Sequence, residues 1–325
     1  MNCGSVRSHC CSKLCTPLRG EQQATICNRL RCEGNAVNIG ICTMKYVAFL
    51  DILGFKNKLK ELGQEKGIEY IERYSSVVYH VFSRYNRSVK ERKGQNQNQN
   101  KIKGFVVSDS VVLYSDNSDC KTLSELMDLI IELCREEFKQ NSILIRGAIA
   151  KGNFDRIPAE ELHNLKKQLI VGDAYVEAYG MEDSFKSTGI RLSDEVYQDI
   201  INAGLNRDIV EETVDNGKYY ILRYLSIDYL LETEDVFKEF IQAAKKSGWM
   251  PHYYNSLYIA MKNVTNSGKL DKLFATIVKE VSENNPSENW RDIDVFIRNS
   301  FSSGVFSNYQ TRLLRYLRNQ LQSTD

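Results

Sequence analysis

Two short apolar runs each deliver an aspartate at a strand end, and this pairing limits the chain to folds whose sheet carries polar chemistry at one edge. Lys45 to Leu50 (KYVAFL) places aromatic and β-branched residues side by side, the pattern of a buried strand, and Gly54 punctuates its exit. Asp51 therefore stands at the strand end. Phe105 to Val107 and Val111 to Tyr114 flank Ser108-Asp109-Ser110 and read as a hairpin with Asp109 at its tip. A carboxylate buried in such a place has to be paired, hydrogen-bonded or metal-bound. If the two strands are neighbours, Asp51 and Asp109 emerge together and can share divalent cations, with the Ile52 carbonyl as a third oxygen ligand. The plainer alternative is that Asp51 caps the next helix and Asp109 is an ordinary turn residue.

The pattern between and beyond these runs predicts a mixed sheet with helices. Ile71, Tyr74, Val78, Val81, Phe82 and Tyr85 recur at helical steps within Ile68 to Lys93, and a polar stretch from Gly94 to Asn100 (GQNQNQN) follows. A second helix is expected over Leu123 to Phe138, with Leu123, Met127, Ile130 and Cys134 on one stripe, then a strand over Ile143 to Ala150. Gln168 to Val171 reads as a short strand leading into a helix near Ala174 to Ser184, and Gly189 begins another strand. Asp215-Asn216-Gly217 joins Ile209–Val214 to Lys218–Leu225 as a tight hairpin, where the sheet is expected to close. From about Ser226 onward Leu230, Phe237, Phe240, Ile241, Leu270, Leu273, Phe274 and Ile277 predict helices only. The division expected is therefore a head over 1–43, a catalytic domain over 44–225 and a helical extension over 226–325.

Charge and cysteine placement exclude several classes. Lys and Arg number 43 against 42 Asp and Glu, so no overall positive field recommends nucleic acid as a partner. No stretch approaches the roughly 18 apolar residues of a membrane helix, and no secretory signal is visible, so a cytoplasmic protein without membrane insertion is expected. Cys3, Cys10, Cys11, Cys15, Cys27, Cys32 and Cys42 all precede Met44, yet their spacing does not form the two close pairs of a zinc module even with His9 added. An unstructured head, or a start at Met44, is the expectation. His80, His163 and His252 are scattered, Cys134 reads as core, and Trp249, Tyr253 and Tyr254 read as helical packing.

Four blocks carry a resemblance. Phe49-Leu50-Asp51-Ile52-Leu53-Gly54-Phe55 resembles the first-strand motif of class III nucleotidyl cyclases, and Val107-Ser108-Asp109-Ser110-Val111 their second metal-binding hairpin. Arg146-Gly147-Ala148-Ile149-Ala150-Lys151-Gly152 is similar to their next core strand, and Val171-Gly172-Asp173-Ala174, running to Met181-Glu182, to their late strand–helix junction. The wording is nearest to the bacterial Pycsar pyrimidine cyclases of antiphage defence.

The resemblance implies an α+β fold with a ferredoxin-like βααββαβ mixed sheet flanked by helices. It also implies two Mg²⁺ or Mn²⁺ ions per site on Asp51, Ile52 and Asp109, and backbone N–H groups over Ile52, Leu53, Gly54 and Phe55 around a triphosphate. A homodimer and a separate effector that senses the cyclic product are further implications. Phe105 and Leu169 stand where the resemblance places the lysine and aspartate with which adenylate cyclases of the class read adenine, and an apolar pair cannot make those hydrogen bonds. The expectation is therefore cyclisation of UTP or CTP to cyclic UMP or cyclic CMP, with a purine cyclase or an inactive nucleotide-binding module as alternatives. Val176 and Gly180 align with the family's transition-state asparagine and arginine. Arg146 is the first candidate to supply the missing positive charge, ahead of Lys151, Lys186 and Arg191, although a solvated arginine on a strand's outer face is common.

Overall fold

Strand β1 (Lys45–Ile52) is covered on both faces, which is why its sequence runs apolar without alternation. Tyr46, Ala48, Leu50 and Ile52 enter a large core on one side of the sheet, while Val47 and Phe49 enter a smaller one on the other. The computed structural model describes residues 44–93, 101–157, 169–183, 187–214, 217–246, 256–257, 259–264 and 266–282. The cysteine-rich head, the GQNQNQN stretch, His163, Lys186, Asp215, Asn216, Trp249, His252, Tyr253, Tyr254 and everything after 282 lie outside the described residues.

Antiparallel neighbours enclose β1 on both sides. One is β3 (Ser110–Ser115), the hairpin partner of β2 (Ile102–Val107), and the other is β4 (Ile145–Gly152). Between β1 and β2 runs α1 (Phe55–Lys93), broken into two helices at Gly63, whose φ of 73° and ψ of −175° leave the helical region. With α2 (Cys120–Asn141) between β3 and β4, the element order is βααββαβ. The helix begins at Phe55 rather than Ile68 because Gly54, at φ 80°, turns the chain and its carbonyl accepts from the N–H groups of Asn57 and Lys58, both at 3.1 Å. Its first turns bury only a short stripe, Phe55, Leu59 and Leu62, each half-buried between polar neighbours, and sequence reasoning did not extend the helix to it. Helix α2 starts where Asp119 accepts from the Thr122 N–H at 2.6 Å, and Leu123, Met127, Ile130 and Cys134 are all fully buried.

Beyond β4 the chain leaves the main sheet. Strand β5 (Asp155–Ile157) pairs with β6 (Leu169–Val171) as a separate two-stranded ribbon, so the short strand read at Gln168 to Val171 has a ribbon partner and no place in the main ladder. Helix α3 (Asp173–Asp183) then lies over the smaller core, with Ala174 and Ala178 buried against Phe49 and Ala148. Strand β7 (Gly189–Leu192) pairs parallel to β4, and β9 (Gly217–Leu222) with β8 (Ile209–Val214) complete the seven-stranded order β2-β3-β1-β4-β7-β9-β8. The fold is α+β, a mixed sheet flanked by helices. Helix α4 (Asp194–Asn202), capped by Ser193, and α5 (Ile227–Glu232), α6 (Glu234–Lys246) and α7 (Ser267–Ser282) all add buried residues to the large core, among them Val196, Leu230, Phe237 and Phe274. Among the described residues no helix is long and apolar enough to cross a membrane.

Candidate active site

Strand register assembles the site. Asp51 lies across from Ser110 on β3 and from Arg146 on β4, and Ser110 lies across from Val107 on β2. Because side chains alternate along a strand, Asp51 shares the face of the smaller core with Phe49, at the end where that core stops. The Ser110 hydroxyl donates to Asp51 Oδ1 at 2.9 Å. Asp109 sits next to Ser110 in the turn after β2, where Ser108 adopts a left-handed φ of 57°. Tyr74, buried on α1, donates its hydroxyl to the Asp109 carbonyl at 3.3 Å. The structure thus brings Asp51 and Asp109 to one end of the sheet.

Arg146 is not a solvated surface residue. Its Nη2 is 3.6 Å from Asp51 Oδ2, and its Nε is 2.5 Å from Oε1 of Glu182 near the end of α3. The Glu182 side chain is only 4 % exposed. Burial raises the Asp51 carboxyl above the ordinary range and the charge of Asp109 adds to this, while the Ser110 hydrogen bond and Arg146 oppose it. Burial also pushes Glu182 up to about 7, against the pull of Arg146. Sequence reasoning passed over Glu182, although a signal was there: Ala174, Ala178 and Glu182 recur every fourth residue on the buried stripe of α3, and a carboxylate on such a stripe needs a cation.

The remaining candidates divide. Ile52 buries its side chain, so the group it can present to a cation is its carbonyl. The N–H of Leu53 donates to the Leu144 carbonyl at 2.8 Å and is committed to the backbone. Phe55 and Lys56 lie in the first turn of α1, where N–H groups have no partner within the helix. Phe105 occupies the neighbouring row, across from Val112, with the Arg156 guanidinium 5.0 Å from its ring centroid. Leu169 pairs with Ile157 on the ribbon that carries Arg156, so Phe105 and the Leu169 ribbon meet through that arginine. Lys151 stands towards the opposite end of β4, 2.6 Å from Asp199, and is not brought to the site. Arg191 stacks 4.0 Å from the Tyr219 ring centroid and donates to the Met181 carbonyl at 3.3 Å. On α3, Val176 is 67 % exposed and Gly180 has open space where a Cβ would be.

The donor set fits a hard divalent cation. Two carboxylates and a backbone carbonyl are oxygen ligands, and among the described residues no three His, Cys, Asp or Glu side chains cluster as a complete protein cage. Mg²⁺ is commonly held by one or two carboxylates, with waters and substrate phosphates supplying the rest.

No protein-family model matches the chain, and no curated protein matches it. Among solved structures, the chain is similar to the adenylyl cyclase CyaB from P. aeruginosa, at 17% identity and a TM-score of 0.40 over 55% of this chain and 93% of that one. It is similar also to the dimeric guanylyl cyclase domain of the RhoGC fusion protein from the aquatic fungus Blastocladiella emersonii, at 16% identity and a TM-score of 0.39 over 55% and 93%. A third is a class III adenylyl cyclase-like ATP-binding protein from Pseudomonas aeruginosa, at 15% identity and a TM-score of 0.34 over 60% of this chain and 40% of that one.

Proposed function

We propose that the chain is a nucleotidyl cyclase that converts UTP or CTP into the 3′,5′-cyclic monophosphate and diphosphate. The observation that carries this reading is the pairing of Asp51 with Ser110, which sets a second carboxylate, Asp109, beside the first at an open sheet end. Asp51, Asp109 and the Ile52 carbonyl would hold two Mg²⁺ or Mn²⁺ ions, which when bound neutralise the triphosphate and activate the ribose 3′-hydroxyl. The free N–H groups of Phe55 and Lys56 orient the phosphates at a helix N-terminus. Arg146, fixed between Asp51 and Glu182, contributes standing positive charge where the leaving diphosphate develops its own negative charge. The 3′ oxygen bonds to the α-phosphorus, the bond from that phosphorus to the diphosphate oxygen breaks, and the hydroxyl proton passes to solvent.

Phe105 and Leu169 support the choice of base. An aromatic ring backed by Arg156 offers bulk and no polar partner for an adenine edge, which favours a smaller base. Exposed Val176 and Tyr179 on α3, beside the site, support a homodimer with composite sites. A role in antiphage defence, with the product read by a separate effector, rests on the resemblance of the four motifs to the Pycsar cyclases. Competition of equal UTP, CTP, ATP and GTP in Mn²⁺, with products identified by mass, tests the reading. Cyclic UMP or cyclic CMP should dominate. A dominant cyclic AMP or cyclic GMP overturns the pyrimidine part, and absence of every cyclic product overturns the enzyme itself.

A further inference from the structure

Arg146 is held unequally by two carboxylates. Glu182 Oε1 lies 2.5 Å from its Nε at a position that is 4 % exposed, a buried ion-pair contact outside hydrogen-bond alignment, whereas Asp51 stands 3.6 Å from its Nη2 with a hydroxyl partner of its own. We propose that Glu182 is the positioning residue of the site: it holds the Arg146 guanidinium to the side of α3 and so leaves Asp51 free to take a divalent cation. The inference rests on the metal role of Asp51 proposed above and assigns to α3 a task in metal binding that neither the motifs nor the ligands themselves require.

The argument is one of charge and reach. Arg146 and Asp51 are cross-strand partners on adjacent central strands, so the guanidinium cannot be moved away by sliding the ladder. A cation at Asp51 and a guanidinium at Asp51 compete for the same two oxygens, and little solvent is present to screen one from the other. Drawn towards Glu182, the Arg146 guanidinium keeps its charge but is turned away from the Asp51 oxygens, so Asp51 with Asp109 faces the metals as a carboxylate pair. Without Glu182, Arg146 cancels one of the two. The buried stripe of α3 explains how the geometry is kept, because Ala174 and Ala178 seat the helix on the sheet and fix where Glu182 arrives.

Binding of Mn²⁺ alone to the full chain, followed by the paramagnetic resonance of the free ion, tests this without turnover. Glu182→Gln is expected to weaken Mn²⁺ binding by about tenfold. Adding Arg146→Met to that variant should return the affinity close to that of the unaltered chain, because the competitor is gone. Glu182→Asp keeps the charge at shorter reach and should fall between, and it carries the test should Glu182→Gln fail to fold. Unchanged Mn²⁺ affinity in the Glu182 variants, or a weakening that Arg146→Met does not relieve, overturns the proposal while leaving the metal role of Asp51 intact. Mn²⁺ binding that survives Asp51→Ala undiminished overturns both.

Discussion

Asp51 and Ser110 face each other across the β1–β3 ladder, joined by a hydroxyl-to-carboxylate hydrogen bond of 2.9 Å, and Asp109 is the residue that precedes Ser110. Two carboxylates separated widely in the chain thereby meet at one sheet end. Asp51→Asn and Asp109→Asn keep the size of each side chain and remove the charge that a divalent cation needs. Each should lower cyclic nucleotide formation by about a thousandfold or more. Stability should stay within about 1 kcal/mol, since no core volume is lost. Initial rates in Mn²⁺ together with urea melts check both halves, and turnover near the original rate in either variant would contradict the metal role.

Gly147 lies across from Leu50 in the middle of the sheet, and a Cβ there would stand 2.5 Å from the Phe49 carbonyl oxygen and 2.7 Å from Leu50 Cδ2. The oxygen belongs to the backbone of the central strand and has nowhere to withdraw. Gly147→Ala should therefore destabilise the fold by about 2–4 kcal/mol. A loss below about 1 kcal/mol in urea unfolding would show that the ladder can yield.

Glu137 on α2 is buried against the sheet, and burial pushes its carboxyl from an ordinary 4.5 to about 8, with the Asn141 hydrogen bond at 2.9 Å opposing the shift and the charge of Glu136 reinforcing it. Between those two values the folded chain binds more protons than the unfolded one, so this group's contribution to stability is complete below 4.5 and is lost as pH rises through about 8. Glu137→Gln keeps an acceptor for Asn141 and removes the titration. Thermal melts at pH 6 and pH 8.5 should show a smaller drop in Tm for this variant, with a gain over the unaltered chain of a few kcal/mol or less at the higher pH. Parallel pH profiles for the two proteins would contradict this.

Val176 projects into solvent from α3 between Tyr175 and the half-exposed Tyr179, whose ring meets Phe49 edge-on at 5.2 Å. Placing a charge there should separate the proposed homodimer without disturbing the monomer. Val176→Glu is expected to halve the mass in light scattering, to change stability by no more than about 0.5 kcal/mol, and to take activity down with the dimer. A monomeric active species in the unaltered chain would rule out composite sites.

The placement of the two aspartates was legible because β-branched runs announce strands and because Asp51 and Asp109 interrupt them at their ends. Register was not, since nothing in KYVAFL or SDSVVLY states which residue faces which until both lie in one sheet. Glu182 was missed for a related reason: its partner, Arg146, is distant in sequence and became visible only when α3 crossed the face of β4. The early start of α1 escaped notice because its stripe, Phe55, Leu59 and Leu62, is short and only half-buried and is cut off from the rest of the helix by the break at Gly63. Leu169 read as a strand and is one, but a strand of three residues carries too little pattern to say which sheet it will join.

Tyr74 is rooted in the core and reaches the turn tip only with its hydroxyl, 3.3 Å from the Asp109 carbonyl. The hairpin end is tethered to the helix layer beneath it before any ligand arrives. A cation bound as proposed would therefore meet a donor whose backbone is already ordered, and the entropy that a freely moving turn would surrender on binding has been surrendered in folding instead. With the metal role proposed for Asp109, affinity there is in this sense stored in the packing of α1, and a change in the helix that carries Tyr74, far from the carboxylates, would loosen the grip on the metal without touching a ligand.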